Sequence, residues 1–293
     1  MSPEQRSCYA RFHEVLLFDC TAGTNCHDMV LCLLIVVDNN TRSRLIASAL
    51  LEDETESSFI WVLQQLKISS NNICPQVIYT DCDPAMANAI SFIYPMAKHN
   101  LCIFHIGLNL KKNLQPKLGS TKFNEFRTEF FSCHNNLNQE IFEIQWKELC
   151  EKYPITKSYL NRMLESTKES WATCYINKFF TCGINSTQHV ESLNRLLKDT
   201  VRRNFLLCQL TNEIQSILDN EAKYERITNM HNALPKQNLD DIPTRFFGEI
   251  NDICKEFLTS HILAMTQKQM KQSFFYDAYI IDQKHIEQVW INL

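Results

Sequence analysis

The chain has 293 residues, 45% of them hydrophobic and 11% aromatic, with a formal net charge of −4. That length suits one large domain or one domain with a sizeable insertion, and only 5 Gly and 8 Pro argue against a loop-rich, all-β protein. The longest apolar run, Met29 to Val37, is too short to cross a bilayer core of about 30 Å as a helix, so no membrane partner is expected.

In chain order, Met1 to Arg6 lacks the apolar segment of a signal peptide, which argues against secretion. Val15 to Phe18 reads as a buried strand ending at Asp19. Met29 to Val37 follows as a second strand, Asp38-Asn39-Asn40 as a hairpin turn and Leu45 to Leu51 as the returning strand. Phe59, Val62, Leu63 and Leu66 have helical spacing, with Ser57 or Ser58 as cap. Gln76 to Thr80 is a short strand, after which Asp83-Pro84 opens a helix with Asp at the N-cap and Pro in the first turn. Tyr94-Pro95 stops that helix, and Ala97 to Leu101 supplies a fifth strand.

This order, β-β-β-α-β-α-β, predicts an α/β fold with a mixed sheet, helices on both faces and a ribonuclease H-like arrangement. Residues 102–180 read as mostly helical with a loop at Gly119-Ser120-Thr121, and 188–201 as an amphipathic helix. A long helix is expected over about 205–228, a linker from Asn229 to Pro243, and further helices to the end. The expected organisation is an N-terminal extension (1–13), a core (14–200) with a helical insertion at about 115–180, and a helical C-terminal region (201–293).

Thirteen cysteines, an odd number without any C-x-x-C pair, read as reduced thiols used as small core residues, and no structural zinc is expected. The net charge counts against a dedicated nucleic-acid-binding module, which is usually basic. The local clusters Lys111, Lys112, Lys117 and Arg195, Lys198, Arg202, Arg203 read, by themselves, as solvated helix faces.

Two carboxylates stand out by position. Asp19 and Asp81 each fall at the carboxyl end of a buried strand, where open α/β sheets collect their ligands. Asp83 has a sufficient role as a helix cap. Phosphodiester cleavage needs an activated water and neutralisation of the leaving oxygen, which two divalent ions about 3.5–4 Å apart supply together. Such hard cations take oxygen ligands. A third carboxylate, Glu191, points partly away from its helix's apolar stripe of Val190, Leu193, Leu197 and Val201.

Several words of sequence surround these residues. They are Asp19-Cys20-Thr21 with Thr24-Asn25, Ala49-Leu50-Leu51 with Glu54, Ser57-Ser58-Phe59 and Trp61, and Thr80-Asp81 with Asp83, Ala85-Met86 and Ala89-Ile90. Tyr94-Pro95 with Ala97, Cys102 with His105 and Asn109, Trp171, and Asn185-Ser186 with Glu191-Ser192, Asn194 and Lys198 follow. Over about residues 14–200 the chain thereby resembles the Mutator-like element (MULE) transposase domain, also found in far-red-impaired-response-related proteins of plants. Ala22 departs from the pattern, where family members often carry Tyr.

The resemblance implies a DDE-type DNA transposase core that cleaves and joins DNA ends with two Mg²⁺ or Mn²⁺ ions. Asp19, Asp81 and Glu191 would be the catalytic metal ligands. Cys102, His105, Asn109, Trp171 and Asn194 would support them or face DNA, with Trp171 either a core residue or a stacking platform for a flipped base. Lys111, Lys112, Lys198, Arg202 and Arg203 would contact phosphates. The implied partners are transposon ends and target DNA, with a homo-oligomer also expected, and the implied location is the nucleus. The alternative is a domesticated, non-catalytic DNA-associated transcriptional regulator. Family members often carry zinc-binding modules before and after this core; neither pattern occurs in this sequence.

Overall fold

The computed structural model describes residues 1–184, 201, 203–233 and 241–273, with the side chains of 231–233, 241 and 242 outside the description. The α/β half opens with α1 (Pro3–Phe12), β1 (Val15–Thr21), β2 (Val30–Val37) and β3 (Ser43–Leu51). It continues with α2 (Glu56–Ser69), β4 (Val77–Thr80), α3 (Pro84–Ile93) and β5 (Lys98–Leu101). The helical part holds α4 (Ile103–Leu118), α5 (Ser120–His134), α6 (Gln139–Lys152), α7 (Pro154–Met163), a 3₁₀ turn at Glu165–Ser170 and α8 (Thr173–Ile176). Beyond it lie α9 (Leu207–Ala233), α10 (Asp241–Phe246), α11 (Gly248–Phe257) and α12 (Ser260–Gln272).

The strands make one mixed sheet in the order β3-β2-β1-β4-β5. β1, β2 and β3 form an antiparallel meander, and β4 and β5 add in parallel on the other side of β1. This is the mixed sheet expected from the element order. All eight residues of β2 are buried, because helices cover both faces. Leu16, Phe18 and Ile78 pack with Phe59 and Leu63 of α2, Met86 and Ile90 of α3 and Tyr9 of α1. Leu17, Leu33 and Tyr79 face the other way and pack with Ile184, Val201 and, from α9, Leu210 and Ile214.

Local chemistry sets the element ends. Ser2 and Gln5 close a capping box on α1. The Asp83 side chain accepts from the Met86 N–H at 2.9 Å, as its position before Pro84 predicts. The cap of α2 is Thr55 rather than Ser57 or Ser58; its hydroxyl accepts from the Ser58 N–H at 3.4 Å, while the Ser58 hydroxyl donates to Asp53. Gly119 alone separates α4 from α5, with φ +74, so the expected loop shrinks to one residue in a region that favours glycine. β1 continues past Asp19 to Thr21, because β2 goes on pairing with it as far as Leu31. α9 runs on to Ala233, into the stretch expected as a linker.

The helical part has its own aromatic core. Phe123, Phe126 and Phe130 of α5, Phe142 and Trp146 of α6, Tyr153 and Trp171 are buried together. Trp171 is the hub, with ring centroids 5.5 Å from Phe130, 5.3 Å from Trp146 and 5.7 Å from Phe142. His134 stacks on the same indole at 6.2 Å and is only 1% exposed.

By contacts the chain divides into Met1–Glu221 and Ala222–Leu293, so α9 is shared between the two units. Within the first, Glu221 accepts from the Leu45 N–H of edge strand β3 at 3.3 Å and pairs with Arg44 at 3.5 Å. An edge N–H is thereby covered. Within the second, Asn251 of α11 is fully buried and bonds Thr244 and Gln267.

The expectation that every cysteine is a reduced thiol needs correction. The antiparallel register sets Cys20 directly opposite Cys32, and the two form a disulfide. The other eleven are free, with Cys102, Cys133, Cys150 and Cys174 buried in the manner expected of small core residues. Alkylating the denatured, unreduced protein should label the eleven free cysteines, and reduction should raise the count to thirteen, as read by intact mass.

Burial lowers the pKa of His134 from 6.5 to about 4, so the unfolded chain binds more protons between those values. The stability that neutral His134 contributes is complete above pH 6.5 and is lost as pH falls towards 4. In urea unfolding at falling pH, a His134→Phe variant should therefore gain on the wild type across this window.

Candidate active site

The site is built by the sheet. β1 and β4 pair in parallel as Val15↔Val77, Leu16↔Ile78 and Leu17↔Tyr79, a constant offset of 77 − 15 = 62. The same offset, 81 − 19 = 62, brings Asp19 level with Asp81 just beyond the last paired residues. Neighbouring strands lie about 4.8 Å apart, so the two carboxylates share one edge of the sheet.

Asp19 is only 5% exposed. It pairs with Leu33 on β2, and residues opposite each other share a face. Its side chain therefore lies on the face of Leu17, Leu33 and Tyr79. Ile184 and Val201 pack on that face too, and the Tyr79 hydroxyl donates to the Ile184 carbonyl at 2.7 Å. Both ends of the stretch containing Glu191 are thus held against the face that carries Asp19.

Asp81 follows β4 and accepts from the Asp83 N–H at 3.1 Å. Burial raises its pKa, while that hydrogen bond and the charge of His105 pull it down and the charge of Asp83 raises it further. The start of α4 is pinned beside it, since the Cys102 N–H donates to the Thr80 carbonyl at 2.7 Å. Cys102 is fully buried at that helix start, and His105 lies one turn along, within charge reach of Asp81.

Glu54 is a neighbour to which the sequence reading gave no role, although it stands within one of the matching words. β3 is antiparallel to β2, itself antiparallel to β1, so β3 ends at the same edge as β1. The loop after it carries Glu54. Its pKa is raised by burial and by the charges of Asp81 and Asp83, which puts three acidic groups within mutual electrostatic reach. No sequence periodicity reveals such an approach across the sheet edge.

The remaining expected residues divide. Asn109, Lys111 and Lys112 follow on α4, the two lysines exposed. Arg203 donates to Asp28 at 2.9 Å, an exposed pair that contributes little stability. Glu191, Asn194, Lys198 and Arg202 lie outside the described residues. Of the two readings of Trp171, a core residue or a DNA-facing stacking platform, the core one holds: it is 1% exposed, and its indole N–H donates to the Leu164 carbonyl at 3.1 Å. The aromatic side chains of α5 and α6 enclose it on the inside of the helical part.

Carboxylate oxygens at this edge are the donors a hard divalent cation takes, and two aligned, partly desolvated aspartates fit one. Among the described residues no group of three or more His, Cys, Asp and Glu is placed to hold a metal ion.

Comparison with known proteins bears on this geometry. Residues 15–109, the sheet with the start of α4, match the family model of the MULE transposase domain. That stretch of the chain is similar to the MULE transposase domain. Over 95% of its length the chain is 22% identical to Protein FAR1-RELATED SEQUENCE 11 of Arabidopsis thaliana, and over 66% it is 29% identical to Putative protein FAR1-RELATED SEQUENCE 10 of the same plant. It spans 40% and 28% of those two proteins. It is also 21% identical over 76% of its length to Protein FAR-RED IMPAIRED RESPONSE 1 of Arabidopsis thaliana, of which it covers 27%. Among solved structures, a dimeric HTLV-2 integrase catalytic core domain in complex with magnesium is similar over 36% of this chain and 70% of its own. That likeness has 20% identity and a TM-score of 0.22, too low for an inference about fold or chemistry.

The burial of Trp171 has a measurable consequence. Trp171→Ala removes the hub of the aromatic core and should cost about 3–5 kcal/mol of stability. Urea unfolding checks this, and a wild-type midpoint in the variant would contradict the core role.

Proposed function

We propose that this chain is the ribonuclease H-like catalytic core of a DDE-type DNA transposase, with Asp19, Asp81 and Glu191 as the carboxylates that hold its divalent ions. The observation that carries the reading is the common offset of 62 that aligns Asp19 with Asp81 just beyond the last paired residues of β1 and β4. The sheet order, an antiparallel meander extended by two parallel strands, supports the ribonuclease H-like assignment. The match to the MULE transposase domain covers both aspartates.

Mg²⁺ or Mn²⁺ bound there would supply an activated water and neutralise charge on the leaving oxygen. The protein's own share is to hold and tune the ligands. Burial of Asp19 keeps bulk water from its carboxylate, and the Asp83 N–H orients Asp81. His105 offsets part of the local negative charge. Glu191 would reach the pair from a stretch whose flanking residues, Ile184 and Val201, pack on the face of Asp19. Lys111 and Lys112 on α4, Lys198, Arg202 and Arg203 would hold DNA phosphates. The partners are transposon ends and target DNA, and the place of action is the nucleus.

A second reading, a domesticated DNA-associated regulator without catalysis, is favoured by the relatives' names, which are those of FAR1-related proteins. One assay separates the two. The wild type should nick DNA and join its ends in Mg²⁺ or Mn²⁺, and Asp81→Asn should fall to background. DNA binding by both proteins with nicking by neither would support the regulator instead.

A further inference from the structure

The buried face of α4, formed by Ile103, Ile106, Leu110 and Leu114, leaves an opposite face with an unusual composition. Phe104 and Leu108, four residues apart and so on one side of the helix, are 44% and 48% exposed. One turn further along that side come the exposed Lys111 and Lys112. α4 holds no acidic residue, whereas Lys111, Lys112 and Lys117 all belong to it. An apolar protein partner would explain the first two residues but not the uniformly cationic continuation.

The face starts at the candidate site. His105 is within charge reach of Asp81, its ring lies 5.7 Å from that of Phe104, and the Cys102 N–H fixes the helix start to Thr80 at 2.7 Å. From Phe104 to Lys111 the helix rises about 10 Å, roughly the span of three stacked nucleotides at 3.4 Å each. A single strand offers a matching series, with flat bases that stack on aromatic rings and phosphates that pair with cations. Trp171, the other aromatic considered for such a role, is enclosed in the core.

We propose that the Phe104–Leu108–Lys111–Lys112 face of α4 receives a DNA strand next to the Asp19–Asp81 pair, with an unpaired base stacked on the Phe104 ring. This rests on the DNA-handling reading above. Phe104 is then a positioning residue: it seats the base next to the phosphate to be cut, and the two lysines fix the strand's direction.

The test uses the full chain and a short duplex with a single-stranded tail carrying 2-aminopurine, whose fluorescence is quenched by stacking. Wild type should bind and quench. Phe104→Ala should lose the quench and bind about ten-fold or more weakly, and Phe104→Trp should restore both. Lys111→Gln with Lys112→Gln should keep the quench while lowering the salt dependence of binding by about one to two ions. Tight binding with unchanged quench in Phe104→Ala would overturn the inference and leave the DNA-handling reading standing. If the wild type binds no DNA, that reading fails and the inference goes with it. A Phe104→Ala loss that Phe104→Trp does not restore would also overturn it, since a stacking ring is then not what the site needs.

Discussion

The parallel ladder between β1 and β4 is the constraint on which the site depends. Three paired positions are enough to set the offset between the strands, and that offset decides whether Asp19 and Asp81 meet or miss. A slip of one residue would turn Asp19 to the opposite face and away from the stretch anchored by Ile184 and Val201. Such a slip is opposed from both sides of the sheet. Leu16, Phe18 and Ile78 on one face and Leu17, Leu33 and Tyr79 on the other are all buried under helices, so a shifted register would drive every one of them into the wrong layer.

The same burial gives the carboxylates their character. An aspartate at 5% exposure in β1 and another raised by desolvation after β4 form a site in which negative charge is costly unless a cation shares it. Glu54 adds to that tension from the end of β3. The hydrogen bond from the Asp83 N–H to Asp81 and the position of His105 relieve part of it. The helical part contributes differently: its aromatic core around Trp171 makes it a packed body from which α4 projects one partly apolar, cationic face.

What could be read in the sequence follows the range of the interaction. Asp83 before Pro84, the unbroken apolar run of β2 and the helical spacing of Phe59, Val62, Leu63 and Leu66 are local patterns, and each gave the element found. The cap of α2 moved to Thr55 because several hydroxyls compete within four residues. Features that need two distant segments were not legible. The Cys20–Cys32 bond depends on the β1–β2 register, and the approach of Glu54 on the direction of β3. Asp19 and Asp81 stood out because strand ends mark ligand sites; Glu191 came only from the resemblance of its surrounding word and falls outside the described residues.

The central claim is that these carboxylates hold divalent ions, and iron-mapped cleavage tests it most directly. Fe²⁺ substituted for Mg²⁺, with ascorbate and peroxide, releases hydroxyl radicals that cut the backbone beside the bound ion. The account predicts fragments ending near residues 19, 81 and 191, suppressed by excess Mg²⁺ and lost in Asp81→Asn. Cuts elsewhere, or a pattern that Asp81→Asn leaves unchanged, would contradict it.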